Sequence, residues 1–271
     1  MPRPRSKCMT SSAPPIPRLD PGTLLKLQRF NTPAVYNGWE QITSRDASRE
    51  GVNLVPLTDQ MPEKGPMVGY AVTLVVEPSN PDHPRQNPQA WPQFWRYVSE
   101  QPGPKILLLQ DLDRPHAHGA CVGEVNGTIL RALGCVGAIV DGAVRDVAEM
   151  RAAGFKTLSR QLAPGHAHGH PVRWGCPVEI CGQPISPGQL VHADQHGFLA
   201  IPPEDEAGLL EATAFMDANE CDTLIGTARA ATGLDMPELI ARLEQAAASF
   251  GAKAADHFAR GDRSGGEWAS S

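Results

Sequence analysis

Apolar residues in the middle of this chain gather in short unbroken runs, and the runs are separated by stretches of helical period. Gly69-Tyr-Ala-Val-Thr-Leu-Val-Val76, closed by Glu77-Pro78, predicts the clearest strand. A Pro- and Asn-rich insert follows (SNPDHPRQNPQAWPQ), then a short amphipathic helix around Phe94 to Val98. Ile106 to Leu109 predicts a second strand, ending in Gln-Asp-Leu-Asp-Arg. From Val122 the spacing turns helical (VGEVNGTILRAL), with Gly134 placed as the C-terminal cap. Val136-Gly-Ala-Ile-Val140 then reads as a strand stopping at Asp141-Gly142, followed by a helix over Val147 to Ala153 ended by Gly154, and by a short strand from Phe155 to Leu158. Strand, helix, strand, helix, strand implies a parallel unit packed on both faces.

The ends read differently. Thr23 to Phe30 predicts a first helix, and Val35 to Ile42 leads into a loop-rich segment. Pro177 to Cys181, Gln189 to Ala193 and Gly197 to Ile201 are short strands joined by Gly/Pro turns, which implies antiparallel structure. Helices are expected from Pro203 to about Ala218 and from Pro237 to about Phe258, before a polar tail. No internal repeat is visible.

At 271 residues the chain can bury a substantial core. A net charge of −6 shows no basic surplus, which argues against a nucleic-acid binder. No run of eighteen apolar residues suggests a membrane span. The N-terminal stretch MPRPRSKCMTSSAPPIPRLDPG lacks the apolar segment of a secretory signal, and disorder is expected up to Pro21. The six cysteines have no disulfide-framework spacing and read as the reduced thiols of a cytoplasmic protein.

Candidate chemistry centres on Arg145-Asp146, at the carboxyl end of a buried strand, where open α/β sheets place their ligands. Asp146 has a plain structural reading as a helix N-cap, with Glu149 completing a capping box. Arg145 is harder to account for, since a guanidinium there needs a carboxylate from the protein or from a substrate. Glu124 opens the preceding helix after Gly123; helix plus strand returns the chain to the same sheet edge, so Glu124 and Arg145 are expected to be neighbours. On its own terms Glu124 reads as a first-turn glutamate stabilised by the helix dipole. His116-Ala-His118 and His166-Ala-His-Gly-His170 suggest Zn²⁺, but they lack an i, i+4 pair and are flanked by Gly and Pro, which favours a solvated loop. Asp111-Leu-Asp113 is a rival metal motif. Cys176 and Cys181 have no second pair, which argues against zinc, and the absence of a Gly-x-Gly after a strand argues against a nicotinamide cofactor.

Gly123-Glu124, with Gly134-x-x-Gly137-x-Ile-Val-Asp-Gly142-x-Val-Arg-Asp146-x-x-Glu149, resembles the signature of the RraA-like family. Gly69-Tyr-Ala-Val-Thr73, Pro177-Val, Pro187-Gly188 and Ala193-Asp194-x-x-Gly197 to Pro202 resemble its other blocks. The family's Pro-Gly-Asp is Pro187-Gly188-Gln189 here, and the insert after Pro78 is long. The family includes class II pyruvate aldolases acting on 4-hydroxy-4-methyl-2-oxoglutarate and 4-carboxy-4-hydroxy-2-oxoadipate, and oxaloacetate decarboxylases. One branch instead inhibits a ribonuclease and lacks the metal-binding aspartate, so Asp146 favours the enzymes.

The resemblance implies an α/β fold of the swivelling β/β/α type: a mixed sheet flanked by helices with a smaller antiparallel portion. It places a disordered extension over residues 1–21, a catalytic domain over 22–225 and a C-terminal helix and tail over 226–271. It implies a homotrimer or homohexamer with active sites at subunit interfaces. The implied activity is a lyase cleaving a C–C bond of a 2-oxo acid through a metal-stabilised pyruvate enolate, by retro-aldol cleavage, oxaloacetate decarboxylation or both. Asp146 would ligate Mg²⁺ or Mn²⁺, Glu124 would hold metal-bound waters, and Arg145 would bind the pyruvoyl end, its carboxylate received by backbone amides around Gly123 and Val125. Glu220, in Asp217-Ala-Asn-Glu220, stands where an acid from a neighbouring subunit would assist; its plain reading is an exposed helix-end glutamate. Two alternatives are a non-catalytic regulator binding a protein partner, and another metal-dependent lyase or hydratase. The insert after Pro78 and the His-rich loops are expected to shape the pocket.

Overall fold

Eleven strands carry most of the described architecture. They are β1 (Thr58–Asp59), β2 (Met67–Val76), β3 (Lys105–Asp111), β4 (Ala120–Val122), β5 (Cys135–Val144), β6 (Lys156–Leu162), β7 (Pro171–Trp174), β8 (Val178–Ile180), β9 (Gln183–Ile185), β10 (Leu190–Asp194) and β11 (Gly197–Ile201). The structure, a computed structural model, describes residues 18–258. Of the extension expected to be disordered, residues 1–17 lie outside the described residues, as does the polar tail after Phe258. Pro21 opens the first helix, α1 (Pro21–Leu27), whose Gly22 and Thr23 amides donate to Asp20.

Two compact units are present, one formed by residues 18–32 with Arg49–Pro203, the other by Pro33–Ser48 with residues 204–258. In the first, nine strands form one mixed sheet of order β1-β6-β5-β3-β2-β10-β11, with β4 paired to β5 and β7 to β2. β2, β3, β5 and β6 run parallel. β10 pairs antiparallel with β2 and β11 antiparallel with β10, while β8 and β9 form a separate hairpin. This is the mixed α/β architecture with an antiparallel portion that the residue pattern implied.

The unbroken apolar runs reflect burial on both faces. Along β3, Leu107 and Leu109 point into one core, with Phe94, Leu130, Met150 and Phe155. Ile106 and Leu108 point into the other, with Val178, Ile180 and Ile185 of the hairpin. The helices of this unit are α1, α3 (His83–Gln86), α4 (Ala90–Glu100), α5 (Glu124–Ala132) and α6 (Val147–Ala152). α2 (Thr32–Ile42) begins at the last residue of the unit and takes in Val35 to Ile42, which the residue pattern left unassigned.

Three other differences have physical causes. β5 does not stop at Asp141-Gly142 but runs to Val144. Asp141 is fully buried there because Arg114 and Arg160 pair with its carboxylate and the Cys181 amide donates to it at 2.9 Å. β4 was not expected; its three residues gain their order from β5, with Val122 opposite Val144. β9 occupies what reads as a Gly/Pro turn, pairing Gln183 with Ile180 across Cys181-Gly182.

The second unit is helical: the rest of α2, α7 (Glu206–Glu220), a π-helical turn (Cys221–Ile225), α8 (Gly226–Arg229) and α9 (Met236–Phe258). Gly38 lets α2 approach α7 closely, since a Cβ there would lie 2.4 Å from the Thr213 nitrogen. Trp39 Nε1 donates to Asp205 at 2.8 Å, and Asn219 Nδ2 to the Phe250 carbonyl at 3.0 Å.

Candidate active site

The pairing of β4 with β5 explains why two segments distant in sequence meet. Val122 and Val144 are opposite one another, so Gly123 and Arg145 leave the sheet side by side, and the Arg145 amide donates to the Val122 carbonyl at 3.0 Å. The site therefore lies at the carboxyl ends of parallel strands. Gly123 is required by crowding: a Cβ would come 2.5 Å from Asp146 Oδ2 and 2.9 Å from Arg145 Cγ.

Asp146 occupies the N-cap position of α6 but does not cap it. Its backbone is left-handed, φ 53 and ψ 44, and its side chain makes no hydrogen bond to its own helix. Such a conformation is uncommon for a residue with a side chain, though aspartate tolerates it better than most, and costs about 1 kcal/mol or more. Its effect is to turn the carboxylate toward α5, where Oδ2 accepts from the Glu124 amide at 3.2 Å and lies 3.4 Å from Arg145 Nε. Oδ1 has no protein partner among the described residues. The capping-box reading with Glu149 is therefore replaced by a carboxylate held across two helix starts.

Arg145 contrasts with Arg114 and Arg160. Arg114 pairs with Asp141 and Glu179, and Arg160 with Asp141. The two terminal nitrogens of Arg145 have no protein acceptor among the described residues, and the side chain is one-third exposed. The fork faces a cleft of about 350 Å³ lined by Gly123, Val125, Arg145 and Asp146, with Trp91, Trp95, Cys121, Asn126, Ile129 and His166 among the rest. Gly123 gives α5 no side-chain cap. The Val125 and Asn126 amides find no acceptor among the described residues, so the helix start can receive an anion. Glu124 stands on the exposed side of this helix start and contributes its amide to the Asp146 carboxylate; its side chain does not line the cleft.

The remaining candidates are placed as follows. Glu220 belongs to the helical unit, half-buried at the end of α7, where Asn37 Nδ2 donates to it at 2.8 Å. Burial, with Asp217 adding repulsion, raises its pKa, against the opposing pull of the Asn37 bond. Asp111 is buried behind Gly142 and pushed up to about 6, mainly by burial, while Asp113 is tied to Ser79. Asp113 thus ties the loop after β3 to the loop after β2, and its amide donates to Asp111 at 2.9 Å. The two His-bearing loops meet, since Ala120 donates to the Gly165 carbonyl at 2.9 Å, and His166 reaches the cleft wall. No group of three or more His, Cys, Asp or Glu able to hold a metal occurs among the described residues.

That donor chemistry bears on the metal. A site closed by protein ligands, as structural zinc demands, is not available here. A hard divalent ion that keeps most of its waters and takes one or two carboxylates is a fit for Asp146 Oδ1 beside Glu124. Sequence reasoning missed the aromatic wall, Trp91 and Trp95. Their i, i+4 spacing was the available signal, and it reads equally well as a core stripe.

The sequence profile of the RraA-like family (Aldolase/RraA) matches residues 32–200, and the chain belongs to that family. The family includes metal-dependent aldolases and ribonuclease E regulators. A provisionally named 4-hydroxy-4-methyl-2-oxoglutarate aldolase of Halalkalibacterium halodurans is 28% identical over 109 residues, which span 38% of this chain and 52% of that protein. Protein DlpA of Legionella pneumophila is 33% identical over 69 residues, 11% of its own length. The chain thus matches about half, or much less, of these relatives. Among solved structures, an uncharacterized protein from Pseudomonas syringae pv. tomato aligns with a TM-score of 0.65 at 17% identity, covering 85% of this chain and 98% of that one. Streptomyces coelicolor RraAS2, described as an unusual member of the RNase ES inhibitor RraA protein family, aligns at 0.58 and 23%, covering 76% and 96%. At such identities the likeness establishes the fold. No helix among the described residues is long and apolar enough to cross a membrane.

Proposed function

We propose that this protein is a divalent-metal-dependent lyase that cleaves a C–C bond of a 2-oxo acid and releases pyruvate. The observation that carries the reading is the state of the Arg145-Asp146 pair. A left-handed backbone turns Asp146 away from its own helix, and the terminal nitrogens of Arg145 find no acceptor among the described residues although Nε lies 3.4 Å from Asp146 Oδ2, both on one cleft. A chain seeking only stability would cap α6 and engage the arginine through its two terminal nitrogens as well.

Each residue then has a defined task. The Arg145 fork takes the pyruvoyl end of the substrate in two-pronged fashion. The Val125 amide and its neighbours at the start of α5 receive the carboxylate, whose charge the helix dipole favours. Asp146 Oδ1 would hold Mg²⁺ or Mn²⁺, and the Glu124 carboxylate would orient its waters. When bound, the ion supplies Lewis-acid stabilisation of negative charge on the C2 oxygen. In retro-aldol cleavage, the C4 hydroxyl loses its proton, C4 becomes a carbonyl as the C3–C4 bond breaks, and the electron pair of that bond moves to C3 and the C2 oxygen as the enolate. Protonation at C3 yields pyruvate. Decarboxylation of oxaloacetate leaves the same enolate, and Arg145 adds a fixed positive charge beside it in both cases. Glu220 from a neighbouring copy in a homotrimer or homohexamer is assigned the C4 hydroxyl proton; burial raises its pKa, which makes it a stronger proton acceptor than an ordinary carboxylate.

The test is a screen of 4-hydroxy-2-oxo acids and oxaloacetate, coupled to pyruvate detection with and without EDTA. Pyruvate release that EDTA stops and Mg²⁺ or Mn²⁺ restores supports the lyase. No release from any of them, with no metal bound, favours a regulator that acts by binding a protein partner.

A further inference from the structure

Beyond Arg145 and Asp146, no lysine, arginine, aspartate or glutamate lines the cleft. Under the proposed function Arg145 is engaged by the pyruvoyl end, so a second carboxylate on the substrate would find no fixed cation in the cleft of one protomer, only His166, which is costly in a partly desolvated site. The wall is instead aromatic and aliphatic, with Trp91 and Trp95 from α4 and Val125 and Ile129 from α5. The two indoles are one helical turn apart, centroids 6.3 Å and planes 34° from one another. Phe94, fully buried, packs edge-on against Trp91 at 6.2 Å and against Trp174 at 6.2 Å, so the aromatic face is braced from behind. Trp95 Nε1–H is buried and finds no acceptor among the described residues. A buried donor left unmatched in a residue of the cleft wall is a place for a ligand oxygen.

We infer that the site takes a 2-oxo acid whose far end is an uncharged aromatic ring, with an oxygen near that ring to accept from Trp95, in place of a second carboxylate. This rests on the function proposed above. The matching substrate class is a 4-aryl-4-hydroxy-2-oxobutanoate. The C4 hydroxyl proton leaves to the base, the C3–C4 bond breaks, its electron pair stays on the pyruvate fragment, and an aromatic aldehyde departs. The ring stacks on the indoles, whose faces favour a flat apolar partner. The aldehyde oxygen is the acceptor the indole N–H lacks. Both tryptophans stand on α4, Trp91 at the end of the Pro- and Asn-rich insert and Trp95 just after it, so this helix sets substrate class.

Calorimetric titration of the full-length protein in saturating Mg²⁺, with phenylpyruvate, pyruvate and 2-oxoglutarate as probes, tests this without depending on turnover. Phenylpyruvate is expected to bind at least tenfold tighter than pyruvate, and 2-oxoglutarate no tighter than pyruvate. Trp91→Ala is expected to erase most of the difference between phenylpyruvate and pyruvate. Trp95→Phe, which keeps a ring but removes the N–H, should slow benzaldehyde release from 4-hydroxy-2-oxo-4-phenylbutanoate more than it weakens phenylpyruvate. If pyruvate binds but the ring adds nothing, or 2-oxoglutarate binds tighter than phenylpyruvate, the aryl subsite is wrong and the lyase reading stands. If pyruvate does not bind, or binds equally well in EDTA, both fall.

Discussion

Gly123→Ala separates the site from the fold by a single methyl group. Gly123 has extended backbone, φ −155 and ψ −163, so alanine adopts its conformation without strain. The new Cβ, however, would lie 2.5 Å from Asp146 Oδ2, 2.9 Å from Arg145 Cγ and 3.2 Å from Arg145 Nε. Comfortable heavy-atom separations begin near about 3.5 Å, so the carboxylate has to retreat by roughly 1 Å. A misplacement of that size costs about a hundredfold where positioning carries the reaction, or about 2.7 kcal/mol of transition-state stabilisation. The structural loss is smaller. One hydrogen bond between Asp146 and the Glu124 amide is weakened at a partly exposed position, about 1 kcal/mol, or about 2–4 °C in Tm. The assay is Mn²⁺ binding followed by electron paramagnetic resonance, alongside thermal unfolding. Mn²⁺ affinity should fall at least tenfold with Tm nearly kept. Gly127→Ala, one turn along the same helix, supplies the control. Its Cβ would meet Phe155 and Met150 in the core at 3.1–3.3 Å, so it should alter packing and spare Mn²⁺ binding. Wild-type Mn²⁺ affinity in Gly123→Ala would refute the reasoning.

Three further outcomes are expected. Asp146→Asn keeps a residue that tolerates the left-handed backbone and can still accept from the Glu124 amide, so the fold should melt within about 2 °C of wild type while metal-dependent pyruvate release is lost; an active Asn variant would show that the charge is not needed. Arg145→Lys keeps the charge but loses the fork, so substrate affinity should drop ten- to a hundredfold, about 1.4 kcal/mol per tenfold step, in calorimetry; unchanged binding would mean the arginine does not touch substrate. His192 is pushed down to about 4, mainly by burial. Its depressed pKa means the unfolded chain binds the extra proton first, so its contribution is full above about 6.5 and is lost as pH falls toward 4, about 3 kcal/mol in all. His192→Gln should flatten the denaturant-midpoint profile over that window. Asp111, raised to about 6, works in the opposite sense and is unaffected by the substitution.

Much of the sheet was legible because β2, β3 and β5 are buried on both faces and so read as continuous apolar runs bounded by turn residues. Gly134 and Gly154 marked helix ends for a reason visible in sequence, and both have positive φ, 87 and 73. What stayed hidden depends on partners far along the chain. Asp141 looked like the end of a strand, since nothing local announces that Arg114 and Arg160 will neutralise it inside the sheet. β4 has three residues and no pattern of its own, yet its pairing with β5 is what brings Gly123 to Arg145. Asp146 and Glu149 spell a capping box, and local rules favour it. The left-handed turn that defeats it is fixed by Val122, Gly123 and the start of α5, a tertiary arrangement that no spacing encodes. Trp91 lay in an insert whose Pro and Asn content spoke of turns, and Trp95 in a stretch whose helical period was legible but not the face it presents to the cleft.

Anomalous scattering from crystals grown in MnCl₂ and soaked with pyruvate tests the central claim most directly. The account predicts a manganese peak within bonding distance of Asp146 Oδ1, and pyruvate with its carboxylate at the start of α5 and Arg145 alongside. A map without manganese at Asp146, its carboxylate engaged only with the Glu124 amide and the Arg145 fork free of pyruvate, would contradict it.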